Sequence, residues 1–157
     1  MGKYQLELKW GLLFTAVALL WIVVEKSMGW HGEHIDMHPT YTNLFAILAI
    51  GMYVLALLDK RKQLGGTMTW KQGFIAGLII SVIVAVLSPL AQWVTHTIIS
   101  PEYFSNAIAY SVETGAVSQE QAEAFFNLNS YMVQASVGAL IMGVVTAALV
   151  ALFVRKK

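Results

Sequence analysis

The sequence predicts an all-α, polytopic membrane protein: four transmembrane helices, with a short amphipathic helical hairpin between helices 3 and 4. Three observations carry that expectation. Of 157 residues, 57% are hydrophobic and only 12% charged, with a mean hydropathy of +0.64; a soluble domain of this length needs more polar surface to cover itself. Residues 10–24, 39–58, 72–101 and 124–154 form four windows without Asp, Glu, Lys or Arg, and a bilayer core takes roughly 20 apolar helical residues to cross. Nine of the ten Lys and Arg residues fall on one side of the membrane that those windows imply. Spans and connections use the whole chain, so a single four-helix domain over residues 1–157 is expected.

Span 1 is read at 10–28. It lacks a small-residue cleavage site and runs into Glu25 and Lys26, so it is expected to be a retained helix rather than a signal peptide. Met1-Gly2 does not open a myristoylation signal, because position 6 is Leu6. Span 2 is read at 40–58 and ends in a turn carrying Asp59, Lys60, Arg61 and Lys62, then Gly65 and Gly66. Span 3, at 70–99, contains Pro89, which removes a backbone hydrogen bond and predicts a kink. The outer loop, 100–130, reads as two helices. Ser100-Pro101 has the form of a cap and first-turn proline, and Phe104, Ala107, Ile108 and Val112 then share a face. Ser118 and Gln121 form a capping-box pattern ahead of Ala122, Phe125 and Phe126. Without Lys or Arg, this hairpin is expected to cap the bundle rather than to bind anionic headgroups. Span 4 is read at 131–153. Trp10 and Trp30 lie 20 residues apart, Trp70 and Trp93 lie 23 apart; as helix these are about 30 and 35 Å, which suits anchors at opposite interfaces.

An even number of spans puts Lys3, Lys9, Lys60, Arg61, Lys62, Lys71, Arg155, Lys156 and Lys157 together, leaving Lys26 opposite. The positive-inside rule then makes both termini cytoplasmic, and the expected location is the cytoplasmic membrane. The other side receives all four histidines together with Glu25, Glu33, Asp36, Glu102, Glu113, Glu120 and Glu123. There is no cysteine, which excludes disulfides, thiolate metal sites and thiol catalysis. No catalytic triad pattern, phosphate loop or nucleic-acid patch is present; topology accounts for the basic side without a nucleic-acid partner.

Three groups of residues carry the functional alternatives. Ala135, Ala139, Gly143, Ala147 and Ala151 recur every fourth residue in span 4, and Gly73 and Gly77 stand in span 3. Small residues let helices approach closely in lipid, either within one bundle or between copies. Ser88, Gln92 and His96 share a face of span 3, and Glu25, Asn43 and Gln134 lie at similar depth. Polar groups in lipid are costly unless they face each other or water, so these six are expected to form a pocket in the outer half, serving as a solute or proton site or simply fixing helix register. His31, His34 and His38, interleaved with Glu33 and Asp36, offer a donor set for a divalent transition metal. Gly29, Gly32 and Pro39 predict an irregular turn there, and a hydrated loop without metal is the plainer alternative.

The runs HIDMHPTYTNLF at 34–45, LDKR at 58–61, TWKQGF at 69–74 and SPLAQ at 88–92 resemble a family of small bacterial membrane proteins catalogued as domain of unknown function 4199. The resemblance covers nearly the whole chain. It implies a four-span integral membrane protein and supplies no catalytic residues. The functional expectation is therefore a non-enzymatic protein acting through association, with itself or another membrane protein. An oligomeric transporter or channel subunit and a divalent-metal-binding protein are the alternatives.

Overall fold

The computed structural model describes Gly2 and residues 4–156, and it is all-α. Met1, Lys3 and Lys157 lie outside the described residues. Four stretches are long and apolar enough to cross a membrane: Gln5–Ser27, Ile35–Gln63, Trp70–Ile99 and Leu128–Val154. The first is α1 (Gln5–Ser27). The second starts with a 3-10 turn, Ile35–Met37, and runs through α2 (His38–Tyr41), a second 3-10 turn and α3 (Phe45–Gln63). This span is therefore longer at both ends than the uncharged window suggested. The third is α4 (Trp70–Val94) closed by one wide π turn at Thr95–Ile99. Pro89 sits inside α4 without ending it. The outer connection holds α5 (Tyr103–Glu113) and α6 (Gln119–Phe125), and the chain finishes in α7 (Leu128–Val154).

Local chemistry explains the boundaries. Thr69 caps α4 through a capping box with Gln72, and Ser118 does the same for α6 with Gln121, as its spacing predicts. Asn127 caps α7 by accepting from the Ser130 N–H at 2.9 Å. Ser100, in contrast, does not cap α5, whose N-cap is Glu102; its hydroxyl is engaged at the site described below.

The bundle centres on the α4–α7 seam. A Cβ added to Gly77 would stand 2.5 Å from Ala147 Cβ, and one on Gly73 would stand 3.1 Å from Ala151 Cβ. One on Gly143 would meet Ser81 Oγ at 2.5 Å and Tyr53 Oη at 2.6 Å. Backbones approach that closely only where side chains are absent or minimal, and in lipid the resulting dispersion contacts are a principal source of helix adhesion. The small-residue stripe of span 4 is thus largely used within the chain. Its outermost member, Ala135, is only half-buried, and Ala139 packs at the edge of the core. Gly11, which the sequence reading passed over, plays the same part between α1 and α4, against Ile83. Mid-membrane polar groups are satisfied: Tyr53 Oη lies 2.7 Å from Ser81 Oγ, and Ser81 donates to Gly77 O at 2.8 Å.

The basic end is tied together by its charges. Lys60 pairs with buried Glu7 at 2.7 Å and Lys9 with Asp59 at 2.8 Å. Trp10 Nε1 donates to Asp59 and Arg61 to Val154 O, both at 2.9 Å. Met68 and Lys156 exchange two backbone hydrogen bonds. The start of α1, the end of α3, the start of α4 and the end of α7 consequently share one end of the bundle. At the opposite end Lys26 donates to Ile99 O, capping the third span.

Candidate metal centre

The end opposite the basic tails carries the most concentrated polar chemistry, and a helix stop builds it. Glu25 stands in the last turn of α1. Gly29, at φ +77°, reverses the chain; its N–H bonds to Lys26 O at 3.0 Å and the Trp30 N–H bonds to Glu25 O at 3.0 Å. This is a Schellman stop, and the left-handed conformation it requires favours glycine. It folds the following residues back over the helix end, so that His31 lands above the Glu25 side chain six residues earlier. Trp30, stacked on Tyr41 at 4.8 Å, pins the loop against the start of the second span. That brings His38, in the first turn of α2, to the same carboxylate.

Glu25 is fully buried. Its Oε1 accepts from Trp21 Nε1 at 2.6 Å. Its Oε2 lies 3.2 Å from His31 Nε2 and 3.5 Å from His38 Nε2. One ligand atom from each of the three residues falls within 4.8 Å of the other two. Two of these separations match the edge of a tetrahedron around a zinc-class ion, about 3.3 Å for metal–ligand bonds near 2.0–2.1 Å. His31 Nδ1 is 3.0 Å from Ser100 Oγ, and the His31 carbonyl accepts from Asn106 Nδ2 at 2.9 Å. An imidazole that donates from Nδ1 to an outer partner presents its Nε2 lone pair inward, as metal-ligating histidines do. In that tautomer two lone pairs face each other across 3.2 Å, and a cation between them removes the repulsion. With the opposite tautomer, Nε2–H donates to the carboxylate and the cluster is a closed hydrogen-bond network.

Tyr103 roofs the cluster, its ring 5.1 Å from His31 and 5.2 Å from His38. Burial pushes its hydroxyl well above the usual tyrosine range, with Tyr131 adding to the effect, so it stays neutral and brings no charge. On its far side His96 stacks on Phe104 at 4.0 Å and pairs with Gln92 Oε1 at 3.0 Å. His96 Nδ1 is buried with no hydrogen-bond partner among the described residues.

Of the five metal candidates, the structure brings together His31 and His38 only. Glu33, His34 and Asp36 are exposed and lie outside the cluster: Glu33 and His34 belong to the turn that follows Gly29, and Asp36 to the 3-10 turn after it. The third donor is Glu25, which the sequence reading grouped with the polar pocket. That pocket is not one site. Asn43, Ser88 and Gln92 line an intramembrane cavity of about 410 Å³. Asn43 bonds back to Pro39 O at 2.7 Å, and Ser88 donates to Val84 O at 2.8 Å. Gln134 is exposed and bonds to Ser130 of its own helix. Glu25 and His96 sit apart from that cavity, around Tyr103. Trp21, Ser100, Tyr103 and Asn106 were not singled out as site residues. The sequence signal for the arrangement was the Gly29 helix stop, which fixes where His31 falls relative to Glu25.

No curated protein and no solved structure shows significant similarity to the chain. The family model described as "Protein of unknown function (DUF4199)" matches residues 9–156. The chain therefore belongs to that family, in agreement with the resemblance read from its sequence.

Proposed function

We propose that this is a divalent-transition-metal-binding membrane protein, with Glu25, His31 and His38 as ligands. The observation that carries the reading is the convergence of two imidazole Nε2 atoms on one oxygen of a fully buried carboxylate. No Lys or Arg among the described residues pairs with that carboxylate; the groups that face it are the two imidazoles and the Trp21 indole. Burying a carboxylate needs a compensating charge and hydrogen bonds, which a bound dication supplies together with the Trp21 indole. Two imidazoles and a carboxylate suit zinc, and three protein ligands leave a coordination position open for water or an exogenous group. His38 is the most exposed of the three, and a small swing of its ring closes the third edge of the site. The small-residue stripe, which on sequence grounds suits packing within one bundle or between copies, is occupied chiefly with packing inside one bundle.

The proposal extends to topology. Nine of ten cations on one side favour a cytoplasmic basic end under the positive-inside rule. The metal site then faces outward from a bacterial cytoplasmic membrane. A ligand that binds only the folded state stabilises it by mass action. Tag-free protein in mild detergent, stripped with chelator, is therefore expected to melt higher once zinc is added. A gain of about 2–3 kcal/mol corresponds to zinc near 100 times its dissociation constant, and magnesium should give far less. A melting temperature indifferent to zinc would overturn the reading.

A further inference from the structure

The cavity of about 410 Å³ lies between α1, α3, α4 and α7 and belongs to no part of the metal centre, although Thr42 forms a wall common to both. Its size is that of a small-molecule site. Phe14, Phe45, Ala49, Gly138 and Met142 give it an apolar body. Its depth is set by α4: Val84 and Gln92 both line it, and eight residues of helix rise about 12 Å. Gln92 adjoins the interfacial Trp93, so the cavity runs from one membrane interface toward the bilayer middle, the depth of one leaflet. Met142 is 64% exposed and Ile50 is 50% exposed along its walls, so it adjoins the surface that faces lipid. At the interfacial end Gln92 gives its oxygen to His96 Nε2, which leaves the amide N–H groups as the donors available to an occupant. Trp93 beside it is read as an interfacial anchor, which sets Gln92 near the level of a phospholipid's ester carbonyls.

We propose that this cavity holds one acyl chain of a glycerophospholipid from the leaflet on the Glu25 side, with the chain's ester carbonyl accepting a hydrogen bond from the Gln92 amide. The surrounding solvent is itself hydrocarbon, so a void here forfeits dispersion contacts that a chain restores.

Gly138 makes the test clean. A Cβ there meets nothing within 4 Å, so the side chain of Gly138→Leu starts in open space and takes up part of the cavity that Gly138 lines. Full-length protein in mild detergent is offered a diacyl phosphatidylethanolamine or the dialkyl ether lipid of equal chain length, and bound lipid is read by native mass spectrometry. The wild type should hold one diacyl lipid per monomer and prefer it about fivefold over the ether lipid, the worth of one hydrogen bond. Gly138→Leu should lose that lipid while melting no lower than the wild type. Gln92→Leu should bind both lipids equally. Equal lipid retention by wild type and Gly138→Leu, an equal preference for ester and ether in the wild type, or a lipid-free dimer would overturn the proposal.

Discussion

Gly77→Leu is expected to disrupt the α4–α7 seam and to cost about 3 kcal/mol or more of bundle stability, at or above the upper end of ordinary overpacking. Its Cβ alone would stand 2.5 Å from Ala147 Cβ and 3.3 Å from Ala147 Cα. The obstacle is a helix backbone rather than the far end of a flexible side chain. Nor can the helices separate locally, because Gly73 on Ala151 and Gly143 on Ser81 set the same spacing to either side. Three further carbon atoms beyond Cβ have no space to enter. Gly51→Leu is the control: a Cβ there meets nothing within 4 Å, and exchanging helical glycine for leucine gains helix propensity. Graded unfolding in mixed micelles should therefore rank Gly51→Leu at or above the wild type and Gly77→Leu far below it. Equal stabilities for the two variants would show that this seam does not organise the bundle. The same geometry makes Gly143→Leu a folding lesion as well, against Ser81 and Tyr53.

Glu25→Ala, His31→Ala and His38→Ala should each weaken zinc binding by at least about 100-fold, since even outer-shell partners of metal ligands are worth 10–100-fold. The loss should be largest for Glu25→Ala, because the carboxylate is the donor both imidazoles face and its removal takes away the only formal negative charge among the three. Ser100→Ala should cost about 10–100-fold through the orientation of His31, 3.0 Å away. His34→Ala should change nothing, since His34 is exposed and outside the cluster. That contrast separates a built site from adventitious binding to a histidine-rich loop. Competition titration against a zinc chelator measures all five variants on one scale.

Much of the architecture was legible in the chain because lipid imposes simple rules. A charge inside the hydrocarbon is costly, so the uncharged windows marked the four spans, and Ser118 with Gln121 marked α6 by local hydrogen bonding alone. The candidate metal centre was only half legible. Spacing within residues 31–38 grouped His34 with His31 and His38, but a period of three or four aligns side chains only along a regular helix. The chain here leaves α1 through Gly29 and re-enters α-helix at His38, and between them Glu33, His34 and Asp36 turn outward. Glu25 was visible as a carboxylate at membrane depth, yet its partners depend on how far the stop folds the chain back. Ser100 carried a capping signal that a tertiary contact with His31 overrode. The cavity was partly legible: Asn43, Ser88 and Gln92, grouped by their depth, all line it, whereas its apolar walls and Gly138 carried no signal.

X-ray absorption at the zinc edge tests the metal centre most directly. Tag-free protein dialysed against zinc and then against buffer should retain one zinc per chain. Its first shell should contain only nitrogen and oxygen scatterers near 2.0–2.1 Å, with outer-shell scattering from two imidazoles, and His31→Ala should reduce the imidazole count to one. A chain that retains no zinc, or whose two-imidazole signature survives in His31→Ala, would contradict a site built from Glu25, His31 and His38.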